Sequence, residues 1–297
     1  MRQTSLMVRI RTVMLVFLSL ATAFALPYTA SAIEITCAPA TPAAATAAAS
    51  PEAPAAELVP FPADGGTLTV FAAASLVDAF AVIEIDLEAA NPELDVIVET
   101  AGSQALVTQL TEGARADVLA TASKSTMTKA QDGGLIAGEP IKFTGNRLVI
   151  VTPPDNPDGI ESFADLANND VTLVIAGEAV PAGQYARTAI CTGDSDFVTA
   201  VGDNVVSEEE DVRSVLAKVE IGEADAGIVY ASDTVAASLA DSELNVIEFP
   251  DDVDTTASYP IAPVTGGNEE LANAFISYIL SADGQKTLTD FGFSPLG

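Results

Sequence analysis

The feature that most constrains this chain is a repeated unit: a short apolar strand, a turn of small residues, then an amphipathic helix. Thr67-Leu-Thr-Val-Phe-Ala-Ala73 has the length and apolar content of a buried strand. Ser75 reads as a helix N-cap, and Leu76, Ala79, Phe80, Ile83 and Leu87 then repeat at helical spacing until Asn91-Pro92. Leu94–Glu99, Asp117–Thr121, Leu148–Thr152, Val171–Ala176 and Ala226–Tyr230 read as further strands. Helices are expected over 103–113, 162–168, 182–191, 212–221 and 269–290. Such alternation predicts parallel sheets with helices on both faces. Over 297 residues it predicts two α/β lobes facing across a cleft, with a ligand beyond the C-terminal strand ends.

Composition narrows the function. Apolar residues make up 49%, enough for sizeable cores, and charged residues only 18%. The charge is lopsided, 12 basic against 42 acidic residues, for a net −30. No basic stripe exists to neutralise phosphates, so nucleic acid is excluded as a partner. An anionic membrane surface is disfavoured for the same reason. The acidity itself reads as a solubility device. The chain has no His, which removes the usual general base and the commonest zinc ligand. Ser75 and Ser103 lie outside any Gly-x-Ser-x-Gly elbow, so an enzyme is not expected.

The N-terminus reads as an export signal over residues 1–32. Arg2, Arg9 and Arg11 precede an apolar run from Thr12 to Leu26, and Ala30-Ser31-Ala32 offers a cleavage site. The run falls short of the roughly 20 residues that a spanning helix needs, and Pro27 follows it. Cleavage there removes three basic residues and no acid, so the charge moves to −33. Residues 33–65 are rich in Ala and Pro and read as an extended linker. Cys37 at its start is a candidate for lipid attachment, although Glu34-Ile35-Thr36-Cys37 matches a lipoprotein cleavage box poorly. A bridge to Cys191 is the alternative, and it would tie the linker to the folded part.

Four helix starts carry small or capping residues: Ala73-Ala74-Ser75, Ala101-Gly102-Ser103, Val180-Pro181-Ala182-Gly183 and Asp211-Val212. Helix N-termini present unpaired N–H groups and about half a positive charge each, so they can hold an anion without Lys or Arg. Each turn alone is also explained by simple capping, so these starts establish only a possible anion site.

Ordered motifs add a resemblance. Thr69-Val-Phe-Ala-Ala-Ala-Ser-Leu76, Gly102-Ser103, Gly113-Ala-Arg-Ala-Asp-Val118, Gly145-Asn-Arg-Leu-Val-Ile-Val151, Val180-Pro-Ala-Gly-Gln-Tyr-Ala186, Glu210-Asp-Val-Arg213, Gly227-Ile-Val-Tyr-Ala231 and Tyr259-Pro-Ile-Ala262 follow one another in sequence. Together they resemble the molybdate-binding proteins of molybdate ABC transporters, from about residue 67 to 297. The resemblance implies a type II periplasmic-binding-protein-like fold, two α/β lobes joined by a hinge. One lobe would hold 66–147 plus 255–297 and the other 148–254. It implies a bound molybdate or tungstate held by Ser75, Ser103 and Tyr230 through hydroxyls and by Ala182 and Val212 through backbone N–H. A membrane ABC permease is the implied partner, and the protein is expected to be a monomer without a cofactor. Arg213 is kept out of this ligand set and assigned to an acid such as Glu209 or Asp225.

All five contacts would be donors. A fully deprotonated tetrahedral dianion wants only donors, whereas phosphate carries a proton and wants an acceptor. Sulfate has the same charge and shape as molybdate, so the choice between them rests on the resemblance. Another small anion, or delivery to a sensor instead of a transporter, remains the alternative.

Overall fold

A computed structural model describes residues 33–37 and 58–296, which belong to one compact unit. The expected signal over 1–32 and residues 38–57 of the expected linker lie outside the described residues. The first part alternates as read: β1 (Gly66–Ala73), α1 (Val77–Ala90), β2 (Leu94–Ala101), α2 (Ser103–Thr111), β3 (Val118–Ala120) and α3 (Lys124–Asp132). A long strand, β4 (Ile141–Thr152), leads to β5 (Leu173–Ala176), α4 (Pro181–Ile190), α5 (Ser195–Asn204) and β6 (Val205–Glu209). Then come α6 (Val212–Glu220), β7 (Ala226–Tyr230), α7 (Ala231–Leu239), β8 (Asn245–Ile247), β9 (Thr256–Pro263), α8 (Glu269–Leu280) and α9 (Ala282–Asp290).

Among the described residues nine strands form one sheet in the order β2-β1-β3-β9-β4-β7-β5-β6, with β8 on β4. The two ends are parallel as expected, β2-β1-β3 and β6-β5-β7. The middle is not: β3–β9, β9–β4, β4–β7 and β4–β8 are all antiparallel. The expectation of purely parallel sheets is corrected here, because β9 returns without a crossover helix and runs against its neighbours. Strand β4 changes partners along its length. Ile141–Arg147 pair with β9, and from Leu148 onward the partners are β7 and β8. At that seam the Leu148 N–H donates to the Thr255 carbonyl at 3.1 Å.

Three other expectations change. The helix expected over 162–168 is a 3-10 turn, Phe163–Ala167. The closing helix expected over 269–290 is two helices, because Ser281 is extended and its side chain accepts from the Gly284 N–H as the N-cap of α9. Helices α3, α5 and α7 are additional. The main core joins the two parts of the sheet around fully buried Phe80, Phe143, Phe275 and Tyr259, with Phe80 against Phe275 at 5.7 Å. Burying each Phe contributes about 1.5–3 kcal/mol. A smaller cluster around Phe71, Leu106, Leu119 and Met127 seats α2 and α3.

The N-terminal cysteine also departs from expectation. Cys37 and Cys191 form a disulfide, with Cα atoms 5.6 Å apart. The sulfur that was a candidate for a lipid thioether is therefore committed to α4's C-terminal end. The segment 33–37 is packed, not loose: Ile35 is buried, and a Cβ at Gly202 in α5 would lie 2.8 Å from the Ile33 carbonyl. The bridge spans a sequence separation of 154. Reducing it is expected to lower unfolding free energy by about 2–4 kcal/mol. Denaturant melts with and without reductant test this, and identical midpoints would refute it.

Candidate functional site

Five elements converge on one point. Strand β1 ends in a 3-10 turn, Ala74–Leu76, and β2 ends at the start of α2. From the other part of the sheet come the starts of α4 and α6 and the last residue of β7. Ser75, Ser103, Ala182, Val212 and Tyr230 all line a single cavity of about 10 Å³, room for about one water-sized sphere. The structure thus brings together the five contacts that the resemblance implies. Each is at most 4% exposed, so water does little to screen a charge placed among them.

Local geometry differs from simple capping. Ser75 sits inside the 3-10 turn and Ser103 is the first residue of α2, and neither side chain caps its helix. Their hydroxyls are engaged elsewhere. Ser75 Oγ is 2.8 Å from Tyr259 Oη, and Ser103 Oγ accepts the Ala122 N–H at 3.1 Å. Gly102 precedes α2 because a Cβ there would lie 2.4 Å from the Glu210 carbonyl. That close approach, reinforced by Gln104 Nε2 donating to the same carbonyl at 2.8 Å, sets the start of α2 against the start of α6. Gly183 does the same for α4: a Cβ there would lie 2.2 Å from the Ala176 carbonyl and 2.1 Å from that of Gly177. Asp211 also lines the cavity, but its carboxylate is turned back to accept the Ser214 N–H at 2.9 Å.

Tyr230 is the outlier. Its hydroxyl is fully buried, lines the cavity and makes no hydrogen bond of good geometry among the described residues, with Tyr259 as its neighbour. Burial pushes its phenol well above the ordinary range, so it stays protonated and able to donate. Leaving such a group unpaired costs about 1–3 kcal/mol. The first N–H groups of α2, α4 and α6 lack intrahelical acceptors as well. The cavity is therefore an arrangement of neutral donors.

Arg213 is not among the cavity-lining residues, and its partners differ from expectation. It pairs with Asp78 of α1 and, through Nε at 3.0 Å, with Asp233. Glu209 pairs instead with Lys218, and Asp225 accepts from the Thr172 N–H. Asp233 is completely buried and also accepts the Tyr230 N–H at 2.9 Å. Burial raises its carboxyl from 3.8 to about 6, against the pull of Arg213 and of that N–H. The folded protein thus holds this proton more tightly than the unfolded chain. The stabilisation is fully present below about pH 4 and is lost as pH rises through about 6. Between pH 5 and 7 it changes by on the order of 1 kcal/mol. Stability of the wild type is expected to fall by that much more than that of Asp233→Asn over this range. Parallel pH slopes in denaturant melts would refute it.

Sequence reasoning gave no role to Tyr259 or Asn146, although both fall within quoted motifs. Asn146 Nδ2 donates to Ser232 Oγ at 2.8 Å and to Tyr259 Oη at 3.4 Å. Only the structure shows Asn146 as a buried polar residue inside a strand, a position that demands partners.

Residues 68–294 match the family of bacterial extracellular solute-binding proteins, and the chain belongs to that family. It is 38% identical over 229 residues to the molybdate-binding protein ModA of Mycobacterium tuberculosis, covering 77% of this chain and 84% of that one. A substrate-binding domain assigned to a molybdenum ABC transporter of Clostridium difficile superposes with a TM-score of 0.58 at 27% identity, covering 78% of this chain and 99% of that one. A sulfate-binding protein of Synechococcus elongatus is more distant, 24% identical over 217 residues, covering 65% of this chain and 61% of that one. The fold is that of type II periplasmic binding proteins.

Proposed function

We propose that this protein binds molybdate, or tungstate, outside the cytoplasm and delivers it to a membrane ABC permease. The observation that carries this reading is the buried, unpartnered hydroxyl of Tyr230 in a cavity of donors. Ser75, Ser103 and Tyr230 would donate through hydroxyls, and Ala182 and Val212 through backbone N–H. An oxyanion dianion offers acceptors to all of them at once, and its charge strengthens each bond beyond what a neutral acceptor gives. The names of the 34–38% identical relatives favour molybdate as the ion.

The lobes would be 66–147 plus 255–297 and 148–254, and the partner switch of β4 between Arg147 and Leu148 supports that division. Ser75 and Ser103 then lie in one lobe and the other three contacts in the second. Only the closed state makes every contact, so the ion favours closure. In this reading the protein acts as a monomer and catalyses nothing. The leader directs export, and Cys37 is a disulfide cysteine and not a lipid anchor.

Thermal melting with molybdate, tungstate, sulfate and phosphate tests the cargo. A ligand at 100 times its dissociation constant adds roughly 2.7 kcal/mol of stability. Molybdate and tungstate are expected to raise the melting temperature at micromolar concentration. A shift with sulfate and none with molybdate would replace the cargo by sulfate.

A further inference from the structure

The geometry points to Tyr259, held by Asn146, as a positioning residue that locks Ser75 as a hydrogen-bond donor toward the cavity; this rests on the reading that the cavity holds an oxyanion dianion. A serine hydroxyl can donate or accept, and a pocket that rejects protonated anions must remove that freedom. The backbone N–H of Arg147 donates to Asn146 Oδ1 at 2.9 Å, which fixes the amide's orientation. Both Nδ2 hydrogens then point the other way, to Ser232 Oγ at 2.8 Å and to Tyr259 Oη at 3.4 Å. Tyr259 Oη and Ser75 Oγ are 2.8 Å apart and either can donate; with Asn146 feeding a hydrogen to Tyr259 Oη, the relay assigns the Tyr259 hydrogen to Ser75 Oγ. Ser75 is thereby an acceptor on its protein side, and its hydrogen is left for the cavity. Ser103 is locked in the same sense by the Ala122 N–H.

Tyr259 is built to hold that direction. It is completely buried, and its ring is clamped between those of Phe143, Tyr230 and Phe293 at 6.3, 5.8 and 5.5 Å. It does not line the cavity, so its hydroxyl acts on the ion through Ser75, while its ring supports Tyr230 and is kept in Tyr259→Phe.

A double-mutant cycle on the full chain tests the relay, with molybdate as the probe in calorimetric titration. Tyr259→Phe keeps the ring and is expected to weaken molybdate about tenfold, the scale of one charge-assisted hydrogen bond. In a Ser75→Ala background the same change is expected to cost less than about twofold. A competition titration with inorganic phosphate adds a second readout. The molybdate-to-phosphate preference is expected to narrow in Tyr259→Phe, whereas a loosened pocket would weaken both ions alike. Equal losses with and without Ser75, or wild-type affinity in Tyr259→Phe, would overturn the relay. If Tyr259→Phe fails to fold, Asn146→Asp replaces the donor by an acceptor and enters the same cycle. Wild-type protein that ignores molybdate would instead refute the cargo reading, and so the two failures are distinguishable.

Discussion

Tyr230→Phe is expected to weaken molybdate binding by about 10- to 100-fold without destabilising the empty protein. The two halves of this result come from one atom. The phenol oxygen is buried in the cavity wall and makes no hydrogen bond of good geometry among the described residues. A hydrogen bond to a charged group is worth about 1.5–3 kcal/mol, which sets the loss of affinity. Removing an unsatisfied buried hydroxyl relieves its desolvation cost, so the ligand-free protein keeps its stability or gains up to about 1 kcal/mol. The rings of Tyr230 and Tyr259 stay packed in the variant, since only the oxygen is lost. Calorimetric titration and denaturant unfolding of the apo protein read the two quantities separately. Unchanged affinity would remove Tyr230 from the ligand set. A loss of apo stability would mean that its oxygen has a structural role.

Gly183→Ala should be more damaging although it adds one methyl group. That carbon would meet the carbonyls of Ala176 and Gly177 at 2.2 and 2.1 Å, well inside contact distance. Both carbonyls belong to the end of β5 and its exit turn, which cannot swing aside like a flexible side chain. Relief requires the start of α4 to lift by on the order of 1 Å, and the Ala182 N–H moves with it beyond hydrogen-bond reach. Overpacking of this kind costs about 1–3 kcal/mol of stability. An affinity loss on the order of 100-fold is expected in addition, because the displaced helix end carries both the donor and its partial charge. A variant that binds with wild-type affinity would show that the start of α4 does not touch the ion.

Legibility in the sequence followed the range of the interactions. Strand β1, helix α1, helix α6 and strand β7 were readable because their burial pattern is local and periodic. The four small-residue helix starts were legible locally as a possible anion site, but the five contacts, Tyr230 above all, followed only from the resemblance carried by the ordered motifs. Strand β4 was seen only from Leu148 onward, since Gly145-Asn146-Arg147 looks polar. Those residues are nonetheless strand, because β9 pairs with them from more than 100 residues away. The same remoteness hid β9 and the Ser75–Tyr259 contact, which joins positions 184 apart. The disulfide was weighed and set aside because composition alone made 33–65 look like one loose linker. Ile33 and Ile35 were the apolar residues that marked its start as packed. Arg213 was read as an ion-pair residue, but its acids, Asp78 and Asp233, come from α1 and α7 and carry no local signal.

The unbroken run of β4 through both parts of the sheet has a mechanical consequence. A loop hinge stores almost no elastic energy and lets two bodies swing widely. A strand held in ladders on both flanks cannot slide without breaking several backbone hydrogen bonds together, but it twists at low cost. If the lobes divide at Arg147 as proposed, opening the cavity means torsion of β4 there, against a restoring moment that grows with angle. Such a joint behaves as a leaf spring. It limits the amplitude of breathing, snaps the donors back into register after each excursion, and leaves prying the ion loose as work for whatever grips the outer faces.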